Sequence, residues 1–349
     1  MLRTLFRYFR CDLALDLGTA NTVIGLVGEG LVVNEPSVVA VDRRSGRILA
    51  GGCAVGRLAK QMQGRTPDSI SVVRPLADGV ITDFELCEAM LRYFLAKAMG
   101  PGVRLRPRVL VTVPGCITRV EKRAVYNSLH RAGVGQVFLV AEAKAAAIGA
   151  GLPLAEPMAN MVCDIGGGTT EIGVFSLADT VAAQSIRVGG DRMDQAIVDY
   201  LRRHYSLRVG LPTAERLRIE IGSAAPLEQE RAEEISGLDT VSGLPRKATI
   251  TSEEVRQALG EPIEAILEAV KNAIDGCTPE LAADLMEHAV VLCGGGSLLP
   301  GLDRFITEQT GLPARMAPEP LTAVAQGTLV CMEHLERWRG LLESSDEHV

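Results

Sequence analysis

Two stretches of this chain are variants of one pattern. DLALDLGTANTVIGLV (12–27) and VCDIGGGTTEIGVF (162–175) both run apolar, Asp, apolar, Gly, two small residues, a polar residue and Thr, then an apolar stretch containing Ile-Gly. Asp16 aligns with Asp164, Gly18 with Gly166, Thr22 with Thr170, Ile24 with Ile172 and Gly25 with Gly173. Each copy reads as two β-strands joined by a tight glycine-rich turn. Glycine lets backbone N–H groups close on an anion with no Cβ in the way. An aspartate ending the first strand repels phosphate, so its sensible role is to hold a hydrated Mg²⁺. One D-x-G-x-x-x-T is a weak signal. Two in register, one from each half, predict a polyphosphate gripped by two lobes.

A chain of 349 residues exceeds the usual reach of one hydrophobic core, so two lobes are expected. The net charge of −7 argues against nucleic acid as a partner. The eight cysteines form no C-x-x-C pair and sit mostly in apolar runs, which reads as reduced thiols in a cytoplasmic protein. No apolar run reaches the length of a membrane span.

The first ten residues, MLRTLFRYFR, differ from the rest. Leu2, Leu5, Phe6 and Phe9 recur at helical spacing on one face, and Arg3, Arg7 and Arg10 on another. Two readings are open: a frayed terminus or docking strap, and an in-plane anchor with aromatics at the acyl boundary and arginines on anionic headgroups. A helix this short binds weakly alone and works well only in many copies.

Two more clusters suit a nucleotide. VVLCGGGSLLPGL (290–302) reads as a buried strand, a triple-glycine turn and a helix, a shape that admits a flat base against the backbone. TAERLRIEIGSA (213–224) puts Glu215 and Arg218 at i, i+3 on one helical face. That pair reads as a solvated surface pair or, beside a nucleotide, as a contact to ribose and adenine.

The order DLGTANT, NEPSVVA (34–40), RPLADGVITDF (74–84), DIGGGTTE, GGDRMDQAI (189–197), ERLRIEIGSA and GGGSLLPGLD resembles the MreB family of bacterial actin homologues from about residue 11 to 330. The resemblance implies an α/β, actin-like ATPase fold. Its two lobes each have a five-stranded mixed sheet flanked by helices, with ATP and Mg²⁺ in the cleft. It places lobe I at 11–145 with a returning C-terminal helix at 322–340, and lobe II at 146–321. A small mobile subdomain falls at about 186–250 and a polar tail at 341–349; within that subdomain, residues 240–255 read as two short strands and a helix start. The implied phosphate cradle is Gly18, Thr19, Ala20 and Asn21 with Gly166, Gly167, Gly168 and Thr169. Asp16 and Asp164 would face the Mg²⁺ through water. Glu215, Arg216, Leu217 and Arg218, with Gly295, Gly296, Ser297 and Leu298, would hold ribose and adenine. Glu142 would orient the water attacking the γ-phosphate. The implied role is a filament on the inner face of the plasma membrane. This homopolymer would contact anionic lipid and membrane proteins of the cell-wall elongation machinery, and so maintain rod shape.

Three features depart from the family pattern. Relatives carry two acids, then Pro and Met, where this chain has Ala141, Glu142, Ala143 and Lys144. Lys144 reads either as drift on a solvent-accessible helix end or as a charge in the space left by the lost acid. The second option implies a scaffold that binds ATP and hydrolyses it slowly. Cys293 replaces a threonine, read as neutral packing. In GPGVRLRP (100–107) only Val103 and Leu105 are apolar, so membrane contact there would be electrostatic. A small-molecule kinase would need a substrate pocket that no insertion offers, and a chaperone ATPase would need a substrate domain after the ATPase fold.

Overall fold

A computed structural model of the chain describes residues 11–100, 106–338 and 342–344. The expected N-terminal amphipathic helix and most of the 100–107 loop lie outside those residues. Two compact units divide the chain: Leu154–Pro320, and a unit within Met1–Pro153 and Leu321–Val349.

The first unit opens with the earlier repeat. Asp12–Leu17 (β1) and Asn21–Leu26 (β2) form an antiparallel hairpin that continues into Gly30–Pro36 (β3). A side layer follows, with Val39–Asp42 (β4), Arg57–Met62 (α1), Ile70–Val73 (β5), and the short pair Leu76–Ala77 (β6) and Val80–Ile81 (β7). Phe84–Met99 (α2) starts where Asp83 accepts the Leu86 N–H at 3.0 Å. Then come Arg108–Val113 (β8), Arg119–Arg131 (α3), Gln136–Ala141 (β9) and Glu142–Gly149 (α4). β8 and β9 are almost wholly apolar, as strands covered on both faces must be. They run parallel to β1, and their core includes Leu13, Leu15, Ile24, Phe94, Val111 and Leu139.

Glu35 on β3 ties this unit's side layer to its sheet. Its buried carboxylate accepts Lys97 Nζ of α2 at 2.7 Å and the Arg57 N–H of α1 at 2.8 Å. Burial works against that charge, but these donors outweigh it and hold the carboxyl below the ordinary range. Gly56 makes room, since a Cβ there would lie 2.7 Å from Glu35 Oε2. Glu35→Gln should cost about 1–3 kcal/mol by leaving Lys97 without its counter-charge. Because the folded carboxyl is the stronger acid, the stabilisation exists at neutral pH and fades as pH falls through its lowered pKa. Urea unfolding of wild type and variant should therefore converge as the solution is acidified through and below the ordinary carboxyl range.

The second unit repeats the plan. Asn160–Ile165 (β10), Thr170–Ser176 (β11) and Asp179–Ile186 (β12) form an antiparallel meander. The hairpin pairs Cys163 with Ile172, Asp164 with Glu171 and Ile165 with Thr170, and the earlier one pairs Leu15 with Ile24, Asp16 with Val23 and Leu17 with Thr22. One constant offset maps the first set onto the second. Gly190–Tyr205 (α5), Leu207–Arg208 (β13), Leu211–Ile221 (α6), Ala232–Asp239 (β14), Pro245–Thr251 (β15), Ser252–Asp275 (α7) and Pro279–His288 (α8) follow. Val290–Cys293 (β16), a 3₁₀ turn at Gly295–Leu298, Leu302–Thr310 (α9) and Ala314–Met316 (β17) complete the unit. Its sheet order β12-β11-β10-β16-β17 matches β3-β2-β1-β8-β9, so the duplication covers the whole sheet.

The chain then returns to the first unit as Ala323–Glu333 (α10), Leu335–Trp338 (α11) and the edge strand Glu343–Ser344 (β18) on β9. Several expectations are corrected here. The first boundary falls after Pro153, later than 145, because α4 packs against α10 inside the first unit. The expected five-stranded plan holds in both sheets, and in the first the two-residue β18, within the stretch read as a polar tail, adds an edge. The C-terminal helix breaks at His334. Residues 240–255 supply a turn, one strand and a helix start; the partner strand, β14, precedes them. No described helix is long and apolar enough to cross a membrane.

Candidate functional site

In the turn at 166–169 the carbonyls of Gly166, Gly167 and Thr169 are engaged by backbone amides. The Gly166 carbonyl accepts the Gly190 N–H at 3.0 Å, and the Gly167 carbonyl accepts the Asp191 N–H at 2.8 Å. The Thr169 carbonyl accepts the Gly166 N–H at 2.8 Å. Among the described residues, no acceptor meets the N–H groups of Gly167, Gly168 or Thr169. Three successive free N–H groups make a concave anion site. α5 is seated directly on the turn: a Cβ on Gly189 would lie 2.7 Å from Gly166 O and 2.8 Å from Gly167 O. The Thr170 hydroxyl donates to Val188 O at 2.7 Å and fastens the connection before α5 to the hairpin.

The earlier turn is built by different neighbours to the same end. Ser37 donates its hydroxyl to Gly18 O at 2.7 Å and its N–H to Ala20 O at 2.9 Å, and it meets the Thr22 hydroxyl at 2.8 Å. The Thr19 hydroxyl accepts the Gly79 N–H at 3.1 Å. The N–H groups of Thr19 and Ala20 have no acceptor among the described residues. A Cβ on Gly18 would meet Asn21 O at 2.7 Å, so this glycine permits the turn.

Both aspartates are the penultimate residue of the first strand of their hairpin. Asp16 accepts a 3.1 Å hydrogen bond from Thr112, yet loss of solvent around its carboxyl outweighs that bond and pushes its pKa up to about 6. Asp164 is buried, and a Cβ on Gly294 would lie 2.7 Å from its Oδ1 and 2.3 Å from Ile165 O. Gly294, at φ +80°, is thus needed twice, for its conformation and for the close approach. Burial, with the Asp164 charge adding to it, raises the Cys163 and Cys293 thiols, so both stay protonated. Among the described residues no cluster of three or more His, Cys, Asp or Glu could hold a metal ion. A lone carboxylate at each turn suits a metal ion that keeps most of its waters.

Glu142 is the first residue of α4, which leaves β9 with no intervening loop, and it is buried. Ala141 is exposed. Lys144 is not on a solvent-accessible helix end, as one reading had it. It is only 8% exposed, and its charge reaches the Cys331 thiol of α10, partly offsetting the rise that burial gives that thiol.

The base-side residues separate on α6. Glu215 and Arg218 share a face, but Leu217 points into the unit's core with no exposure, and Arg216 pairs with Glu220 at 2.8 Å and Glu233 of β14 at 2.6 Å. The Arg216 side chain is thus taken up by two carboxylates and the Leu217 side chain by the core. Arg218 Nε donates to Asp194 of α5 at 2.6 Å. Gly296 and Ser297 are buried in the 3₁₀ turn, with the Ser297 hydroxyl donating to Gly294 O at 2.7 Å, while Gly295 and Leu298 are exposed. Sequence reasoning missed Ser37, Gly79, Gly189, Gly190, Asp191 and Asp194. All lie in quoted motifs, and a serine two residues after a strand glutamate carries no signal until the turn it closes is known.

The comparisons with known proteins agree on one relationship. The sequence profile described as "MreB/Mbl protein" matches residues 10–339. The cell shape-determining protein MreB of Escherichia coli strain K12 is 47% identical over 347 residues, covering 99% of this chain and all of that protein. The crystal structure of MreB 5 of Spiroplasma citri bound to AMPPNP superposes with a TM-score of 0.89 at 35% identity, covering 95% of this chain and 98% of that one; the same protein bound to ADP gives 0.88. A MamK double helical filament structure, 22% identical with a TM-score of 0.78 over 93% of this chain and 99% of that one, shares the fold.

Proposed function

The chain belongs to the MreB/Mbl family, and on that premise we propose that it is an ATP-binding, filament-forming actin-like protein that assembles on the inner membrane face and organises cell-wall synthesis. One observation carries the nucleotide part: two turns related by duplication both have their carbonyls engaged and their N–H groups left for an anion. The amides of Thr19 and Ala20 and those of Gly167, Gly168 and Thr169 take phosphate oxygens of one ATP. Asp16 and Asp164 would hold a Mg²⁺ through water, and the ion when bound would offset the phosphate charge. Glu142 orients the attacking water. Glu215 and Arg218, with the turn from Gly295 to Leu298, hold ribose and adenine. Hydrolysis here times a polymer and modifies no other substrate.

Polymerisation also supplies the multivalency that a weak anchor of Leu2, Leu5, Phe6, Phe9, Arg3, Arg7 and Arg10 requires. The test is sedimentation with MgATP, with and without vesicles containing anionic phospholipid. The full chain should pellet only with nucleotide and should carry vesicles down. Phe6→Glu with Phe9→Glu should still pellet with nucleotide and leave the vesicles behind. A full chain that never pellets, with filaments absent by electron microscopy, contradicts the proposal.

A further inference from the structure

The buried ion pair between Asp194 and Arg218 joins two helices that the nucleotide reading assigns to opposite ends of the ligand. We propose that Asp194 is a positioning residue: it holds Arg218 so that the base-side helix α6 and the phosphate turn 166–169 act as one piece, which makes nucleotide binding at the two ends cooperative. The inference rests on the ATP reading above.

Three contacts form the path. Arg218 Nε donates to Asp194 Oδ1 at 2.6 Å and Nη2 to Oδ2 at 3.4 Å, with both side chains mostly buried. One turn before Asp194, Gly190 lies beneath the same guanidinium; a Cβ there would sit 3.3 Å from Nη2. The Gly190 and Asp191 amides in turn hold the Gly166 and Gly167 carbonyls, so the peptide planes whose N–H groups face an anion are set by α5. A buried pair of this kind is poor value for stability, since apolar side chains of similar volume serve a core as well. Its fork geometry does fix one orientation of Arg218, which a lysine could not do. Asp194 therefore acts through Arg218 and touches no ligand itself.

The experiment is calorimetric titration of the full chain with MgATP, which engages both ends, and with magnesium tripolyphosphate, which engages only the turns. Asp194→Asn should weaken ATP binding about tenfold, in the range of ordinary coupling energies, and leave tripolyphosphate within about twofold. In an Arg218→Gln background, Asp194→Asn should change ATP affinity by less than about twofold, because its route is already cut. The double variant buries no charge, so it keeps the comparison available if the single variant unfolds; it should show the same selective loss. ATP binding unchanged in Asp194→Asn, equal loss of both ligands, or a full additional loss on top of Arg218→Gln would each overturn the inference. A wild type that binds no ATP sinks the underlying reading and this inference with it, whereas a wild type that binds ATP with a flat cycle sinks the inference alone.

Discussion

Gly149→Ala or Gly327→Ala should each cost the fold about 3–5 kcal/mol and lower the thermal midpoint by roughly 10 °C. The two glycines face each other's helices. A Cβ on Gly149 would lie 1.8 Å from Ala323 O, and one on Gly327 would lie 1.8 Å from Ala145 O. Ala145 to Gly149 on α4 and Ala323 to Gly327 on α10 are thus reciprocal four-residue steps with the backbones in contact. A carbonyl cannot rotate away as a side chain can, so the helices must separate and open voids along both. Gly260 is the internal control: it sits within α7 with open space around its Cα, and Gly260→Ala should be neutral or stabilise by up to about 1 kcal/mol. α4 also carries Glu142 at its start, so a variant that survives folding should lose ATP turnover before ATP binding. An unchanged midpoint in Gly327→Ala would refute the contact.

Asp16→Asn should stabilise the protein and disable it together. A carboxyl raised from 3.8 to about 6 disfavours the folded state wherever it is ionised. Well below pH 4 both states are protonated and the cost is absent; it sets in as pH rises through about 4 and is complete above about 6. The asparagine should therefore gain little at pH 4 and about 2 kcal/mol at pH 7.5, allowing for partial exposure. At the same pH, MgATP affinity should fall about 10- to 100-fold, the usual loss when a group ordering a metal's ligands is removed. Chemical denaturation at the two pH values, beside a MgATP titration, tests both halves. A variant less stable than wild type at pH 7.5 would mean that Asp16 is not a strained carboxylate.

The two hairpins were legible because a local pattern, strand–glycine turn–strand, occurs twice with one spacing, and the shared register of Asp16–Val23 and Asp164–Glu171 follows from it. Tertiary choices were not. Helical spacing paired Arg218 with Glu215, whereas its guanidinium meets Asp194, 24 positions upstream, because α5 and α6 pack together. The same spacing says that Leu217 lies off the Glu215–Arg218 face, but only the packed core shows that its side chain is wholly enclosed. β14, AEEISGLD, carries little strand signal of its own, since Ile235 is its one buried residue. The burial of Lys144 depends on α10, far along the chain, so an alanine-rich helix looked open to solvent.

Hydrogen exchange of the full chain with and without one equivalent of MgATP bears most directly on the duplicated phosphate site. The amides of Thr19, Ala20, Gly167, Gly168 and Thr169 have no acceptor among the described residues, so they should exchange more readily alone than with nucleotide bound. With MgATP, peptides spanning 12–27 and 162–175 should both gain protection at the same nucleotide concentration. Protection confined to one hairpin, or absent from both while ATP is bound, would contradict the account.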